Sequence, residues 1–195
     1  MMLGTNPNAA AVAERLPENS VGAEIGVWRG DSSQVFLGTG KVRRLYLVDP
    51  WELTAYPKEE LPEIAARYGD LVGGTTIGAF ARYYGNVYAD VLDRFEGDPR
   101  VIVWRMPSER FWRLHEARSL DWVYLDGNHD HRHVHADLTF AWAKMAGRGG
   151  VIFGDDYGNK PGVTSAVDQF VETADLRFEV FAGNQYEIRG RHARP

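Results

Sequence analysis

An apolar segment that ends in a glycine turn constrains this chain more than any other feature of its sequence. Residues 21–27 read VGAEIGV, a run that is typical of a buried strand, and Gly26 allows the backbone to turn tightly beside a ligand. A second apolar run, residues 44–48, leads to Asp49, about 20 residues further along, where a carboxylate can accept hydrogen bonds from both ribose hydroxyls. The pair predicts a nucleoside site, although glycine and aspartate are also common in ordinary turns.

The turn sequence Gly26-Val-Trp-Arg-Gly30-Asp31 indicates which nucleoside would bind. A dinucleotide fingerprint has a second glycine that makes room for pyrophosphate, and here the bulky Trp28 occupies that place. Asp31 would put a negative charge at the helix N-terminus that otherwise binds phosphate. No G-K-[ST] run of a phosphate-binding loop occurs either. The sequence therefore favours a nucleoside without phosphates, such as S-adenosylmethionine.

Strands alternate with helices along the chain, which predicts an α/β fold with a largely parallel sheet and helices on both faces. Further strands are predicted at residues 100–104, 120–125 and 149–153, and helices at residues 8–16, from Asp31, and at 86–95, 108–117, 131–145 and 163–172. The runs at residues 177–181 and 185–188, separated by Ala182-Gly183-Asn184, predict a terminal antiparallel hairpin. Residues 51–84, which contain Pro57 and Pro62, predict a helical insertion or lid within one domain spanning residues 1–195.

The glycine turn resembles a known family motif. The run Ala23-Glu-Ile-Gly-Val-Trp-Arg-Gly30 is similar to the first motif of class I S-adenosylmethionine-dependent methyltransferases, above all to the macrocin and aminocoumarin-sugar O-methyltransferases. The resemblance implies a Rossmann-like sheet, mostly parallel with a C-terminal antiparallel hairpin. It also implies that Glu24 contacts the methionine amino end, that Gly26, Gly30 and Ser33 line the methionine moiety, and that Asp49 holds the ribose.

Contacts to the adenine end come partly from the same resemblance. In the related catechol-type methyltransferases, the positions after the third strand flank adenine, and here they are occupied by Ser108 and Glu109. A serine at this place also suits a helix cap. Trp51, close behind Asp49, is predicted to cover adenine or ribose.

Three aspartates follow the fourth and fifth predicted strands: Asp126, Asp155 and Asp156. In a parallel sheet they would converge beside the nucleoside, where a bound cation or raised pKa values would relieve their repulsion. Aspartate oxygens suit Mg²⁺ or another hard divalent cation, although a solvated acidic loop is the alternative interpretation. Residues 149–157, GGVIFGDDY, and residues 161–170 resemble segments of the metal-dependent sugar O-methyltransferases. We therefore predict that all three aspartates bind Mg²⁺ and that Asp126 also contacts the cofactor.

The segment Asp126-Gly-Asn-His-Asp-His131 departs from the sugar enzymes, which carry a D-G-D-x-Y type run. A D-G-x-H form resembles related small methyltransferases and hydroxylase-like proteins, which leaves the substrate class open. His129 lies where catechol-type enzymes carry a lysine base. Because imidazole titrates near neutrality, it would accept the proton of a hydroxyl group, and we predict His129 as the catalytic base.

Histidines alternate at positions 129, 131, 133 and 135, which raises the alternative of a zinc hydrolase. The metallo-β-lactamase-type run H-x-H-x-D-H is not matched, and the later histidines of such enzymes are missing between His135 and His192. Polar positions on a helix that begins near His131 are the simpler interpretation of the last three.

Composition limits the remaining classes. The 195 residues include 22 Lys and Arg against 27 Asp and Glu, a net charge of −5 that argues against a nucleic-acid surface. The absence of cysteine excludes disulfides and thiolate metal ligands. No apolar run approaches the roughly 20 residues that span a bilayer, and the N-terminus has no basic region of a signal peptide. We expect a cytoplasmic protein without a membrane partner and leave homo-oligomerisation open.

Three functional hypotheses follow. The leading one is an S-adenosylmethionine- and metal-dependent O-methyltransferase that acts on a small hydroxylated molecule such as a sugar, phenol, polyketide or small acid. The second is a hydroxylase-like or hydrolytic enzyme on the same fold that uses the metal without the methyl group. The third is a non-catalytic protein that binds S-adenosylmethionine, since fold alone does not decide function.

Overall fold

The sheet is the centre of the computed structural model, which describes residues 6–53, 61–116, 119–145, 149–173 and 176–190. Its seven strands within these ranges are β1 Ser20–Ile25, β2 Val42–Asp49, β3 Val101–Arg105, β4 Trp122–Leu125, β5 Val151–Gly154, β6 Leu176–Phe181 and β7 Gln185–Gly190. They lie in the order β3-β2-β1-β4-β5-β7-β6. The first five strands are parallel, and β7 pairs antiparallel with both β5 and β6. The predicted α/β fold with a C-terminal antiparallel hairpin is confirmed.

Helices cover both faces of the sheet. They are α1 Pro7–Arg15, α2 Asp31–Gly38, α3 Leu61–Val72, α4 Ile77–Arg94, α5 Ser108–Leu114, α6 His131–Met145 and α7 Pro161–Glu172. The apolar strand residues alternate in direction, because successive side chains of a strand point to opposite faces. In β4, Trp122 and Tyr124 pack with α1, α2 and α4, whereas Val123 and Leu125 pack with α5, α6 and α7. Apolar packing on both faces thus stabilises the sheet, and the carboxyl ends of its parallel strands lie at one edge.

Helix α3 and the first part of α4 lie in the segment at residues 51–84 that is predicted as a helical insertion or lid. We predicted a helix at residues 86–95, but α4 already begins at Ile77, where the Thr76 side chain accepts a hydrogen bond from the Ala79 amide at 3.1 Å. Gly78 and Gly85 have low helix propensity, so they weaken the helical signal of the sequence. Packing of Val87 and Val91 in the core stabilises the helix in spite of these glycines. Residues 54–60 lie outside the described residues, so a lid function of this segment stays a prediction.

Smaller differences concern element ends. The helix predicted at residues 108–117 ends at Leu114, and the fourth strand begins at Trp122 instead of residue 120. Among the described residues, no helix is both long and apolar enough to cross a membrane.

Candidate functional site

Four neighbouring parallel strands, β2, β1, β4 and β5, end side by side. A residue of the candidate site lies at the end of each strand or directly after it. The strands β1, β4 and β5 stop in register, and the next amides, those of Gly26, Asp126 and Asp155, each bond to a carbonyl near the end of a neighbouring strand. The N···O distances are 2.9, 2.8 and 3.1 Å. Asp49 ends β2 on the other side of β1. The sheet therefore brings the glycine turn and the predicted carboxylates to one edge.

The two glycines of the turn are needed where the sequence predicts them. Gly26 has φ 88°, and a Cβ atom there would lie 2.1 Å from the backbone oxygen of Asp126. Gly30 has φ 75° at the start of α2, and a Cβ atom would lie 2.8 Å from Cε2 of Phe95. L-residues rarely adopt such φ values, and the neighbouring atoms leave no room for a side chain. The turn after β1 is thus built by close backbone approach to the segment after β4.

Asp49 organises the glycine turn from the neighbouring strand. Its Oδ2 accepts hydrogen bonds from the amides of Val27 and Trp28, both at 3.0 Å, and its Oδ1 accepts one from the Trp51 amide at 2.7 Å. Burial raises the pKa of the Asp49 carboxyl above its ordinary value, and these three amides oppose that effect. The prediction that Asp49 also holds the ribose stays a prediction, because three of its hydrogen-bonding directions already serve the backbone.

Two tryptophans of this region lie in left-handed backbone conformations, Trp28 at φ 46° and Trp51 at φ 45°. The indole N–H of Trp51 donates to the Trp28 carbonyl at 2.8 Å, and this hydrogen bond stabilises both left-handed positions. Trp51 is only 1% exposed and packs against Tyr88, with ring centroids 5.0 Å apart. Trp28 is 44% exposed, and its indole N–H lies 3.2 Å from the Tyr83 hydroxyl. Trp28 therefore offers more surface to a ligand than Trp51, which we predicted to cover adenine or ribose.

Glu24 is a buried acid in the middle of the sheet, beside the start of α2. The buried Ser33 hydroxyl donates a hydrogen bond of 2.5 Å to Glu24 Oε2. Burial raises the pKa of Glu24 well above its ordinary value, the Ser33 hydrogen bond opposes this, and the charges of Asp126 and Asp49 raise it further. A cationic group placed near this carboxyl would relieve the cost of its charge. The structure brings Glu24 and Ser33 together as the sequence predicts.

Ser108 and Glu109 begin α5, directly after β3. The Ser108 hydroxyl donates to the buried carboxyl of Asp137 on α6, while the exposed Glu109 pairs with Arg113 at 2.5 Å. Ser108 is therefore fixed by a contact between helices, whereas Glu109 pairs within its own helix on the exposed surface. Their predicted adenine contacts stay predictions.

A cluster of possible cation ligands lies just beyond the glycine turn. One ligand atom each from Asp126, His129 and Asp156 lies within 4.8 Å of the others. His129 Nε2 is 2.9 Å from Asp156 Oδ2, and the His129 side chain is 45% exposed. Burial, followed by the charges of Asp155 and Asp156, raises the pKa of Asp126 well above its ordinary value. Mutual repulsion of this kind is what a bound cation would remove.

Asp155, which we predicted as a third ligand, faces protein donors. Its Oδ1 accepts hydrogen bonds from the Asp156 amide at 2.6 Å and from the Asn184 side-chain amide at 2.5 Å. The Tyr124 hydroxyl lies 3.5 Å from Oδ2. Burial raises the pKa of Asp155, and the bond from the Asp156 amide opposes that change. The group of possible ligands found here consists of Asp126, His129 and Asp156, and the ligand role of Asp155 stays a prediction.

Sequence reasoning missed three residues that support this site. Asp137 lines the narrow pocket under the cluster together with Asp126 and Asp155, and it accepts a hydrogen bond from the Trp112 indole at 2.8 Å. Tyr124 and Asn184 contact Asp155. A signal existed for Asp137, since it is an acid on the apolar side of a helix between Val134 and Leu138. The contact from Asn184 could not be read from the sequence, because it joins residues of separate elements.

The remaining histidines of the alternating run lie elsewhere on α6. His131 Nδ1 is 2.8 Å from the Ser165 hydroxyl, His133 Nδ1 is 3.2 Å from Asp130, and the His135 ring packs against Phe170. Within the described ranges, the group of three possible metal ligands that we find contains His129 and none of these histidines. The zinc-hydrolase alternative therefore loses the histidine cluster that it requires.

Residues 23–157 match the model of a family described as a methyltransferase domain, and because this is well over half of the chain, the chain belongs to that family. The predicted class I S-adenosylmethionine-dependent methyltransferase is confirmed, and so is the prediction of an enzyme. The hypothesis of a non-catalytic binding protein is thereby not supported. No curated protein matches the sequence.

Solved structures of similar fold agree with this family. Cofactor-bound Rv0187 from MTB is 14% identical with a TM-score of 0.62, and the match covers 98% of this chain and 82% of that one. The S-adenosylhomocysteine-bound methyltransferase PaMTH1 from Podospora anserina is 12% identical with a TM-score of 0.60, covering 94% and 76%. The O-methyltransferase NovP is 17% identical with a TM-score of 0.55, covering 94% and 78%. Identities this low support the fold alone.

Proposed function

We propose that this methyltransferase transfers the methyl group of S-adenosylmethionine to a hydroxyl oxygen of a small molecule, with the help of a divalent cation. The observation that carries the proposal is the position of the Asp126–His129–Asp156 cluster. Asp126 touches the glycine turn through its backbone and the cluster through its carboxylate. A cofactor seated on the turn would thus have its reacting end beside a possible cation site.

The cofactor would lie across the ends of β1, β2 and β4. Glu24 and Ser33 would face the methionine ammonium, since a buried carboxyl with a raised pKa is stabilised as an anion by a nearby cation. Gly26 and Gly30 would let the backbone approach the methionine moiety. Asp49 would hold the ribose by its remaining hydrogen-bonding capacity, and Ser108 and Glu109 would flank the adenine. Solved structures with this fold include a cofactor-bound protein, an S-adenosylhomocysteine-bound methyltransferase and an O-methyltransferase, which supports this placement.

The donor set fits a divalent cation. The carboxylates of Asp126 and Asp156 suit Mg²⁺ or Mn²⁺, Asp155 adds negative charge, and the imidazole of His129 beside them is left for proton transfer. When bound, such a cation would polarise the acceptor hydroxyl and lower its pKa. Asp126 and Asp156 would hold the cation. Asp155, the third predicted ligand, would contribute the negative charge of its carboxylate from its hydrogen-bonded position. The second hypothesis, a hydrolytic or hydroxylase-like enzyme, would use the same cluster, and family membership favours methyl transfer over it.

His129 would act as the base. Burial lowers the pKa of its imidazole, the negative charge of Asp156 opposes that change, and Lys160 and Arg67 lower the pKa further. A neutral imidazole can accept a proton from the acceptor hydroxyl, and Asp156 at 2.9 Å would then stabilise the imidazolium. The substrate oxygen would attack the methyl carbon in line while the bond between that carbon and the sulfonium sulfur breaks, so that S-adenosylhomocysteine leaves and the hydroxyl proton goes to His129. Most of the rate would come from orientation and electrostatics.

The acceptor would be a small molecule and not a nucleic acid, because the chain carries a net charge of −5 and its site edge is lined with carboxylates. We also propose that residues 1–195 form one domain that works in the cytoplasm.

Calorimetry with two ligands tests the proposal. Wild-type protein should bind S-adenosylmethionine and Mg²⁺, and Asp156→Asn should bind Mg²⁺ at least about tenfold more weakly with unchanged cofactor affinity. Asp130→Asn is the matched control, since it removes an exposed charge nearby that pairs with His133 and should change neither affinity. Radiolabelled methyl transfer to a panel of phenols, sugars and hydroxy acids should stop when EDTA is added. Cofactor binding without Mg²⁺ binding, or transfer that persists in EDTA, would refute the metal mechanism.

A further inference from the structure

The tip of the C-terminal hairpin reaches the segment that carries the cation cluster. Asn184 is the last residue of the turn between β6 and β7, after Ala182 and Gly183, which both have left-handed φ values of 47° and 86°. This turn places Asn184 against residues 155–157, which follow β5. Nothing in the proposed reaction uses the hairpin directly.

Asn184 contacts both neighbours of Asp156. Its side-chain amide donates to Asp155 Oδ1 at 2.5 Å, and its backbone carbonyl accepts from the Tyr157 amide at 3.0 Å. The same Asp155 oxygen accepts the Asp156 amide at 2.6 Å. Asp156 is therefore held on its two sides by contacts that start from one residue of another element.

The backbone of Asp156 explains why this support matters. Asp156 has φ 67°, a left-handed conformation that is uncommon for residues other than glycine, although aspartate tolerates it better than most. In this conformation its carboxylate points at His129, with Oδ2 2.9 Å from Nε2. An extended or helical backbone at this position would aim the carboxylate elsewhere, so the cluster depends on how residues 155 and 157 are fixed.

We propose that Asn184 is a positioning residue for the cation cluster: by fixing Asp155 and Tyr157, it holds Asp156 in the left-handed conformation that aims its carboxylate at His129. The inference rests on the proposed function, because it assigns the purpose of this support to cation binding. Asn184 itself touches neither Asp126 nor His129 through any contact found among the described residues. Its effect on the metal would therefore pass through the conformation of residues 155–157.

Two substitutions separate this role from general support of the fold. Asn184→Ala removes the amide donor to Asp155, and Asn184→Asp keeps the shape while replacing that donor by a repelling oxygen. Asn8→Ala is the matched control, because Asn8 donates to the Asn184 side-chain oxygen at 3.2 Å and its loss leaves the bond to Asp155 in place. Each of the three substitutions removes a hydrogen bond in which the Asn184 side chain takes part.

The first measurement is Mg²⁺ affinity by calorimetry in the presence of S-adenosylhomocysteine. Asn184→Ala should bind Mg²⁺ about tenfold more weakly than wild type, as is usual when a residue that orients a metal ligand is lost. Asn8→Ala should stay within about twofold of wild type, and cofactor affinity should be equal in all proteins. If wild type binds Mg²⁺ and Asn184→Ala binds it as well as Asn8→Ala does, the inference is overturned and the proposed function stands.

The second measurement needs no metal. Hydrogen exchange at the amides of Asp156 and Tyr157 should be at least about tenfold faster in Asn184→Ala and Asn184→Asp than in wild type or Asn8→Ala, since both amides are bonded within the supported segment. If wild type binds no Mg²⁺, the cation part of the proposed function fails, and exchange then decides whether Asn184 positions the segment. Unchanged exchange in both Asn184 variants would overturn the inference.

Discussion

At the scale of single residues, the turn after β1 requires a residue without a side chain at position 26. Gly26 and the Asp126 carbonyl are so close that any side chain on Gly26 would displace the segment that carries the candidate cation ligands. A change at Gly26 should therefore affect both halves of the proposed site. Gly40 offers a comparison, because it has a similar φ of 74° but no atom within 4 Å of the Cβ position.

We expect Gly26→Ala to lower the free energy of unfolding by about 2–4 kcal/mol, the sum of a left-handed alanine and an overpacked contact. It should also weaken S-adenosylhomocysteine binding at least tenfold. Gly40→Ala should cost only about 1 kcal/mol and leave binding unchanged. Urea denaturation and calorimetry measure both effects, and equal costs for the two glycines would contradict the close-approach argument.

Asp137 connects α5 to α6 through its buried carboxyl. It accepts hydrogen bonds from Trp112 and Ser108, and burial raises its pKa to about 6, which these bonds and the charge of His133 oppose and the charge of Glu109 reinforces. Since the folded pKa is higher than the unfolded value near 3.9, the folded state favours the neutral acid. The stabilising contribution is complete below about pH 4 and is lost as the pH rises through 6.

Asp137→Asn should therefore remove a pH dependence that wild type shows. Between pH 4 and pH 7, wild type should lose about 3 kcal/mol of unfolding free energy at this site, whereas the variant should lose none there. Contributions of the other acids are common to both proteins, so the difference between them isolates Asp137. Urea unfolding at several pH values measures it, and a difference that does not change with pH would show that folding does not raise the pKa of Asp137.

At the scale of elements, β1 and β4 meet through a glycine and a tryptophan. A Cβ atom on Gly22 would lie 2.1 Å from Cε2 of Trp122, whose indole N–H donates to Ser20 at 2.9 Å. Gly22 thus makes room for the buried ring that fills the core between β4, α1 and α2.

Gly22→Ala should lower the unfolding free energy by about 1–3 kcal/mol through overpacking. In a Trp122→Leu background, the same change should cost at least about 1 kcal/mol less, because the ring that it strikes is gone. A double-mutant cycle in urea gives the coupling. Additive effects of the two substitutions would show that the Gly22 position is restricted by something other than the Trp122 ring.

The elements also show what a sequence can and cannot reveal. The strands and their carboxyl ends were predictable, because apolar runs that stop at Gly26, Asp49 and Asp126 report burial and chain reversal directly. The early start of α4 was not predictable, because Gly78 and Gly85 weaken a local signal that packing restores. The contact between His129 and Asp156 involves a left-handed aspartate, and although aspartate adopts this conformation more often than most residues, its presence in a sequence does not predict it.

The position of Asp155 illustrates the same limit. Its sequence context, two aspartates after a strand, is identical for a ligand and for a supporting residue. The hydrogen bonds of Asp155 with Tyr124 and Asn184, which come from β4 and from the hairpin turn, are not visible in that context. Such contacts between distant segments are fixed only by the complete sheet, and the metal-binding role predicted for Asp155 stays a prediction.

At the scale of the whole molecule, the proposed cofactor site draws on β1, β2, β4, α2 and α5, so occupancy should stabilise the entire fold. S-adenosylhomocysteine at 100 times its dissociation constant should raise the unfolding free energy by about 2.7 kcal/mol. For a chain of this size, the thermal midpoint should rise by roughly 5–10 °C. Differential scanning calorimetry measures this shift.

NAD⁺ at the same concentration is the control for that experiment. It should give no shift, because Trp28 occupies the place where pyrophosphate needs a glycine, and Asp31 adds a negative charge at the start of α2. An equal shift with NAD⁺ would mean that the turn accepts a pyrophosphate after all.

The position of β7 between β5 and β6 has a consequence for the order in which the site assembles. The glycine turn needs only β1, β2 and β4, whereas the support of residues 155–157 needs the hairpin turn that is formed between the last two described strands. Pairing over long sequence separations is slow, because the entropy of closing the chain must be overcome first. β1 pairs with β4 over a longer separation, Gly22 with Trp122, than β5 pairs with β7, Val151 with Arg189. We expect a refolding chain to order residues 155–157 before the glycine turn closes against the segment after β4, so that support of the proposed cation ligands precedes affinity for the cofactor.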